Sequence, residues 1–298
     1  MTKAAATDQA FLAPASHPYL EIRTTLSSGL PYADHFHSDF SVGLILDGTT
    51  LFHCSGQKYI ARKGDIVLIE SGVAHSCNPI EGGPRSYHMI YLEADWCLDL
   101  LGALTINRPS LSADCSGQVD CAPEKKYSGG QVLVNNGERV VRDPSLFETL
   151  KLMVETIRAA GSVPEVEARL TFSELLGRYC HLEAGAGTAG WLAEGARKMF
   201  DRDPEHPLKV EEAARRLGLR REYFTRAFRR STGLSPGSYH HCSRIMAARR
   251  LLRRGVSIVE AALASGYADQ SHFHRMFVKY VSATPRQYLL NRSHSGKK

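Results

Sequence analysis

The 298-residue sequence lacks the features that mark membrane and secreted proteins. No apolar run approaches the roughly 20 residues that a membrane helix needs, and the N-terminal segment has no apolar core of the secretory kind. The seven cysteines are odd in number, irregularly spaced and without a CxxC pair, so the sequence favours reduced thiols over a disulfide framework. These absences predict a soluble cytoplasmic protein with no membrane partner.

Charge is unevenly distributed along the chain. Residues 191–298 hold 22 Lys and Arg against 9 Asp and Glu, whereas residues 1–190 hold 15 against 22. The length suits two domains, and a basic part beside an acidic part predicts a polyanionic partner for the basic end. A merely solvated basic surface is the alternative that charge alone leaves open.

The basic part contains one pattern twice, at about 208–230 and at about 257–280. Apolar positions before a glycine recur 48 residues on, and positions after it recur 49 residues on, because the turns at Gly218 and Gly266 absorb the slip. A helix, a glycine turn and a second helix, occurring twice, predict two helix-turn-helix units. We call these units head one and head two.

The second helix of each head has an apolar inner face and a polar outer face. Cationic side chains opposite a row of phosphates release counterions and gain affinity, and Arg and Gln can also bond the edges of guanine and adenine. For any single residue, a phosphate contact or a solvated side chain is the alternative. We predict contacts with double-stranded DNA from Arg221, Glu222, Thr225, Arg226, Arg229, Arg230, Gln270, Ser271, His272, His274 and Arg275.

One long helix is expected between the heads, with Pro236 near its start and Gly255 past its end. A single helix would fix the separation of the recognition helices. A separation of about 34 Å would let them enter two successive major grooves on one face of the DNA. The arginines expected to add positive charge to this helix are Arg249, Arg250, Arg253 and Arg254.

This C-terminal region resembles the DNA-binding domain of the AraC/XylS family of bacterial transcription regulators. The resemblance covers Trp191 to Leu290 and rests on LGLRREYFTRAFRRSTGLSPGSY and on the highly specific ending GYADQSHFHRMFVKYVSATPRQYL. It implies an all-α domain with two helix-turn-helix units, in which the second helix of each head enters the major groove.

The N-terminal part is predicted to be rich in strands between residues 20 and 96. Its short apolar segments end at turn residues such as Asp47 with Gly48 and Ser55 with Gly56, a pattern typical of an antiparallel barrel or a double-sheet roll. A further hairpin is expected to turn at Asn136 within the polar region 107–142.

Two helices follow the strands. Asp143 and Pro144 suit the N-cap and first position of one helix, and Pro164 is expected to open the other. The hairpin they form either packs on the barrel or pairs with its copy in a dimer. The candidate inward positions of the second helix are Val166, Leu170, Leu175, Leu176 and Tyr179.

The predicted fold class is therefore α+β in two domains, a cupin-like antiparallel β-barrel with a helical hairpin followed by an all-α double helix-turn-helix domain. The predicted divisions are a flexible arm at 1–18, a ligand-sensing and dimerisation domain at 19–183, a linker at 184–190, the DNA-binding domain at 191–291 and a basic tail at 292–298.

Histidines concentrate in the strand-rich part. His35 and His37 lie two residues apart, so an extended backbone places both imidazoles on one face, as a metal site requires. The stretch from His35 to His75 resembles the cupin-like sensor domain common in the same family. Where metal-binding cupins carry a Glu, this chain has Ser41 and Val42, so the sequence disfavours a metal enzyme.

We expect no catalytic residue, no metal and no cofactor. The preferred interpretation is a pocket for a small polar molecule inside the barrel, and hydrogen-bonded barrel histidines are the alternative. The candidate pocket residues are His35, His37, Asp39, His75 and Tyr91.

These observations predict a sequence-specific transcription regulator controlled by a small-molecule effector of unknown identity. The resemblance further implies activation as the commoner mode, a homodimer, and RNA polymerase as a partner. Two alternatives remain at this point. One is a regulator without a small ligand, controlled by a protein partner or by the thiols of Cys115 and Cys121, and the other is a cupin metalloenzyme with a nucleic-acid-binding tether.

Overall fold

The structure, a computed structural model, describes residues 8–80, 83–106, 130–184, 199–200 and 209–290. The predicted α+β organisation is confirmed, with a β-rich N-terminal domain and a helical C-terminal domain. The described strands are β1 (Asp8–Leu12), β2 (Leu20–Ser28), β3 (Phe40–Asp47), β4 (Thr49–Cys54), β5 (Gln57–Arg62), β6 (Ile66–Ile69), β7 (His75–Pro79), β8 (Arg85–Leu92), β9 (Gly130–Val134), β10 (Val140–Val141) and β11 (Cys180–Ala184).

The helices fall into two groups. Three of them belong to the N-terminal domain, namely α1 (Ala94–Ile106), α2 (Pro144–Ala160) and α3 (Glu165–Tyr179). The C-terminal domain contains α4 (Val210–Arg216), α5 (Arg221–Thr232), α6 (Pro236–Arg253), α7 (Ile258–Ala264), α8 (Gln270–Val281) and α9 (Pro285–Leu290).

The strands form an antiparallel structure of three sheets. The largest has the order β1-β2-β8-β3-β6-β10, a second has the order β5-β4-β7, and β11 pairs with β9. Side chains alternate across the central strands, as a period of two requires. Val42 and Ile90 join the core that α1, α2 and α3 cover, whereas Gly43 and Met89 face the interior between the two larger sheets.

The helical hairpin packs on the barrel and begins as predicted. The Asp143 carboxylate accepts a hydrogen bond from the backbone N–H of Leu146, and Pro144 occupies the first position of α2. On α3, core packing does not hold at Val166 and Leu170, which are 64% and 66% exposed. The helix turns instead on a face that buries Ala168, Thr171, Phe172, Leu175 and Leu176.

Several other expectations are corrected by the structure or concern residues outside its described part. Residues 8–12 of the predicted flexible arm form a strand, because β1 pairs along its whole length with β2. The chain does turn at Asn136, but β9 and β10 do not pair with each other, since β11 and β6 take their edges. Ala184 of the predicted linker ends β11. The remaining linker residues, Cys115, Cys121 and the basic tail lie outside the described residues.

Both heads share one hydrophobic core built around α6. Phe224 and Phe228 of α5 and Phe273 and Phe277 of α8 are fully buried in it, together with Ile245 of α6. An 18-residue helix is about 27 Å long, at 1.5 Å per residue. The predicted single helix between the heads is therefore confirmed, and it joins them through continuous packing.

Candidate functional site

The candidate DNA interface is the outer face of α5 and α8. Of the eleven residues predicted to contact DNA, nine are exposed and two, Thr225 and His272, are half-buried. His272 is turned towards its own domain, with its ring centroid 5.3 Å from that of Tyr267 and 6.0 Å from that of His241. Its capacity to reach a base edge is therefore smaller than the sequence implied.

The charges of head one are largely uncompensated. Among the described residues, Arg221 is paired with Glu211 at 3.1 Å, while Arg226, Arg229 and Arg230 form no ion pair. Three exposed, unpaired guanidinium groups on a helix of twelve residues repel one another in the free protein. Phosphates of a polyanion would remove that repulsion.

A cavity lies between the two larger sheets of the N-terminal domain. Its empty volume is about 520 Å³ when the open mouth is included. The part in which the centre of a water molecule can lie is much smaller, about 40 Å³. That inner space corresponds to about three water molecules. The lining residues include polar groups, Arg23, Tyr32, His35, His37, Thr50, His75, Cys77, Arg85, Tyr87 and Tyr91, and apolar walls, Gly43, Ile45, Val67 and Met89.

Four of the five predicted pocket residues line this cavity, and Asp39 does not. Its carboxylate lies 3.9 Å from Arg253 in the groove between the domains, and only its backbone carbonyl faces the histidines. The structure places Asp39 outside the cavity, because the chain bends between His37 and β3 and directs the side chain into the groove beside Arg253.

The three cavity histidines are neutral at pH 7. Burial lowers the pKa of His35, His37 and His75 below the ordinary range, and repulsion from neighbouring imidazoles lowers the first two further. The pKa of His75 falls to about 4. Neutral imidazoles retain one nitrogen lone pair each, so these side chains can accept a hydrogen bond or bind a metal ion.

Two buried arginines were not predicted from the sequence. Arg23 donates to the Thr25 hydroxyl and to Gln9 Oε1, and Arg85 donates from Nη2 to the carbonyl of Cys77 at 2.7 Å. Neither forms an ion pair within the described part of the chain. The alternation of strand β2 indicated Arg23, because Leu20 and Ile22 face one side, and Glu21 and Arg23, which alternate with them, must face the other.

A buried carboxylate joins the two domains. Glu21 is fully buried, and its Oε1 lies 2.6 Å from Nη2 of Arg249, while its Oε2 accepts from the Tyr288 hydroxyl at 2.9 Å. Arg253 is 3.4 Å from the same carboxylate. Burial by itself would lower the pKa of Arg249, but the attraction of Glu21 raises it well above the usual range. Arg249 was predicted to add charge to the joining helix and instead forms a buried interdomain ion pair.

The same interface reaches the ends of both recognition helices. Arg23 Nη1 donates to the carbonyl of Val281 at 2.8 Å, and the side chain of Gln9 donates to the carbonyl of Ser282 at 2.9 Å. Both carbonyls lie at the C-terminal end of α8. Near the end of α5, the ring of Phe36 stacks on Tyr239 with centroids 4.5 Å apart. The cavity is therefore linked through Arg23 to head two, whereas Phe36 contacts the domain near head one.

The described cysteines have the properties of buried, unreactive thiols. Burial raises the pKa of Cys54 to about 11, and that of Cys77, Cys180 and Cys242 to about 12. Since the thiolate is the reactive form, these residues give no support to thiol control, and Cys115 and Cys121 lie outside the described residues.

Comparison with known proteins agrees with both domains. A model described as AraC-like ligand binding domain matches residues 17–171, and one described as helix-turn-helix domain matches residues 213–291. The chain is 24% identical to the uncharacterized HTH-type transcriptional regulator YbfI of Bacillus subtilis, over 86% of each chain. It is also 24% identical to the HTH-type transcriptional activator RhaS of Escherichia fergusonii, over 93% of this chain and 96% of the relative.

The fold is similar to that of a solved regulator. The structure of ToxT from Vibrio cholerae with a bound unsaturated fatty acid aligns over 100% of both chains, with a TM-score of 0.56 and 15% identity. In the described residues, no helix is long and apolar enough to cross a membrane. The ligand-binding model covers more than half of the chain. The chain belongs to the AraC family of transcription regulators, with a ligand-binding domain and a helix-turn-helix DNA-binding domain.

Proposed function

We propose that the protein is a homodimeric transcription activator whose DNA affinity is set by a small anionic effector bound in the barrel cavity. One observation carries this proposal. Arg23 lines the cavity and, from the same guanidinium group, donates to the carbonyl of Val281 at the end of the head-two recognition helix. A ligand that engages Arg23 therefore competes with a contact that holds the DNA-binding domain.

The charge of the cavity indicates an anion. Among the described residues, its lining includes the guanidinium groups of Arg23 and Arg85 and no carboxylate. Both arginines are held by neutral oxygens in the described residues, and a buried positive charge without a partner anion is costly. Tyr32 and Tyr87 share a hydrogen bond between their hydroxyl groups at the same wall, where a carboxylate or phosphate oxygen would also be bound. ToxT, which has the same fold, is described with a bound fatty acid, itself an anion.

Regulation follows from differential binding to two arrangements of the domains. In the arrangement described here, Arg23, Glu21 and Gln9 hold the C-terminal ends of α8 and α6 on the barrel. An anion that draws Arg23 into the cavity weakens this docking and favours the released arrangement, by no more than its difference in affinity for the two. Released heads can then adjust to two successive major grooves.

The remaining parts of the function rest on surfaces of the molecule. Val166 and Leu170 lie one helical turn apart on α3 and are exposed, so they suit the contact of two protomers. The relative RhaS is named an activator, which supports activation and therefore contact with RNA polymerase. The protein acts on DNA in the cytoplasm as a regulator and catalyses no reaction.

The test uses the full chain and labelled DNA from its own upstream region. Melting temperature and DNA affinity are measured with carboxylates, phosphates and neutral sugars, for the wild type, Arg23→Gln and the exposed-arginine control Arg62→Gln. We expect an anion to raise the melting temperature of the wild type and the control and to change their affinity for DNA. In Arg23→Gln, the anion-induced change in DNA affinity should be at least tenfold smaller. A response to neutral sugars alone, or an unchanged anion response in Arg23→Gln, contradicts the proposal, and equal affinity for unrelated DNA contradicts specific recognition.

A further inference from the structure

Three histidines of the cavity are brought together by the backbone itself. His35 and His75 form an isolated antiparallel bridge in which each N–H donates to the other's carbonyl, at 2.9 Å and 2.8 Å. Residues paired in this way place their side chains on the same face, and His37, two residues further along an extended segment, shares that face. We propose that His35, His37 and His75 form a binding site for a divalent transition-metal ion.

Hydrogen bonds to the backbone determine which ring nitrogen of each histidine is free to bind a metal ion. Nδ1 of His35 lies 2.8 Å from the carbonyl of Ala33, that of His37 lies 3.0 Å from the carbonyl of Asp39, and that of His75 lies 2.8 Å from the carbonyl of Val73. A carbonyl can only accept, so each Nδ1 carries the proton and each Nε2 keeps its lone pair. Histidines that bind metals are oriented by this kind of hydrogen bond from the second ring nitrogen.

The spacing of the rings suits one ion. One nitrogen from each ring lies within 4.8 Å of the other two. The ring centroids are 4.5 Å apart for His35 and His75, 4.6 Å for His37 and His75, and 6.1 Å for His35 and His37. A tetrahedral zinc ion with three imidazole ligands places the centroids about 5 Å apart, so small ring rotations would complete the site. In the described residues, Nε2 of His37 forms only a long contact with the Ser41 hydroxyl, at 3.4 Å, which a metal ion could replace.

The surroundings determine what the fourth position would take. Three imidazole ligands leave the ion its full double charge. Arg23 lines the same cavity, and the guanidinium group of Arg249 lies 5.1 Å from the ring centroid of the lining residue Tyr91. Arg249 is already paired with Glu21, whereas Arg23 has no carboxylate partner among the described residues. We therefore expect an anionic oxygen as the fourth ligand. The inner part of the cavity, about 40 Å³, is large enough to hold it. Imidazole ligands suit zinc, iron, copper and nickel.

This inference goes beyond the proposed effector and is tested without DNA. Untagged full-length protein is stripped with a chelator and titrated with Co²⁺, following the visible absorption of nitrogen-coordinated cobalt, and then with Zn²⁺ by calorimetry. The variants are His37→Gln and His75→Gln, with the half-buried His35→Gln as the variant least able to disturb folding. His53→Gln is the matched control, because His53 pairs with Ser76 next to His75 and so points to the opposite face of its strand.

We expect one Co²⁺ per chain in wild type and in His53→Gln, and at least a hundredfold weaker binding in the three triad variants, with circular dichroism confirming their fold. Absence of stoichiometric Co²⁺ in wild type overturns the site, as does equal binding in the folded triad variants or an equal loss in His53→Gln. Binding of the metal together with an absent anion response would leave this site standing and reject the proposed effector. An anion response without stoichiometric metal binding would reject the metal site and leave the proposed effector standing.

Discussion

The two heads differ in what they expose and agree in what they bury. Phe228 and Phe277 hold equivalent buried positions in the common core, while the exposed face of α5 is rich in arginine and that of α8 bears Gln, Ser and His. Duplication has therefore preserved the packing of a helix-turn-helix unit and allowed its outer face to diverge. Since base contacts come from the outer face, the two heads are expected to recognise different half-sites.

The heads also differ in how the ligand-binding domain holds them. The end of α8 is held by hydrogen bonds from Arg23 and Gln9, whereas the end of α5 lies at Gly233 in close contact with Ala74. Hydrogen bonds to a charged side chain can be redirected by a ligand, and a steric contact cannot. We therefore expect the proposed effector to act first on head two.

The largest effect is expected from the shared core, where the heads should behave alike. Phe228→Ala and Phe277→Ala each leave a large cavity in one continuous core, which costs about 3–5 kcal/mol of unfolding free energy. Urea denaturation followed by circular dichroism measures both. A cost in one head several kcal/mol smaller than in the other would break the equivalence of the buried halves.

DNA affinity should separate the exposed faces. Arg226→Ala and Arg275→Ala each remove a charge from an outer face. If the side chain contacts a base, its loss weakens the binding free energy for DNA by about 1–3 kcal/mol, and we expect the larger loss of affinity for Arg226→Ala in the Arg-rich head one. Fluorescence anisotropy at several salt concentrations measures affinity, and each lost phosphate contact lowers the salt slope by about 1. Intact affinity in both variants would refute the assignment of α5 and α8 to the major groove.

Acid sensitivity should distinguish the heads, because His240 in the core of head one corresponds to Leu289, 49 residues on. Burial lowers the pKa of His240 to about 4, and the charges of Arg244 and His241 contribute. The unfolded chain takes up the proton first, near pH 6.5, so this residue's contribution to stability falls as pH drops from about 6.5 to 4.

We expect the unfolding free energy of wild type to fall by about 1–2 kcal/mol more than that of His240→Leu between pH 7 and pH 5. Denaturation curves of both proteins at pH 8, 7, 6 and 5 provide the measurement, with pH 8 as the reference. Parallel losses in the two proteins would show that His240 does not contribute to acid sensitivity.

A local effect is expected at the end of head one. Gly233 has a φ of 77°, and a Cβ there would lie 2.9 Å from the Cβ of Ala74. Gly233→Ala should cost about 1–2 kcal/mol for the left-handed backbone, in addition to the contact that must shift. Gly237→Ala, where nothing lies within 4 Å of the added atom, is the matched control for thermal denaturation. Equal melting temperatures would contradict a steric contact at this end.

Local patterns predicted much of this molecule. The repeat, the glycine turns and the apolar face of each helix specify two heads, and Asp143 with Pro144 specifies the start of α2, because each signal acts within one or two helical turns. The spacing of His35 and His37 placed both imidazoles in the cavity. At Val166 and Leu170 the periodicity of α3 was misassigned, since a helix with apolar residues on two faces does not indicate which face will be covered.

The fold class, the duplicated heads and DNA as the partner of the basic end follow from local patterns of residues. The contact of Glu21 with Arg249, 228 residues away, and that of Arg23 with Val281, 258 residues away, arise only when the domains pack together. No periodic signal connects such positions, because a charged residue on a strand is compatible with solvent, with an ion pair or with a cavity until its neighbours are in place. The link between the cavity and the heads is therefore a property of the packed domains.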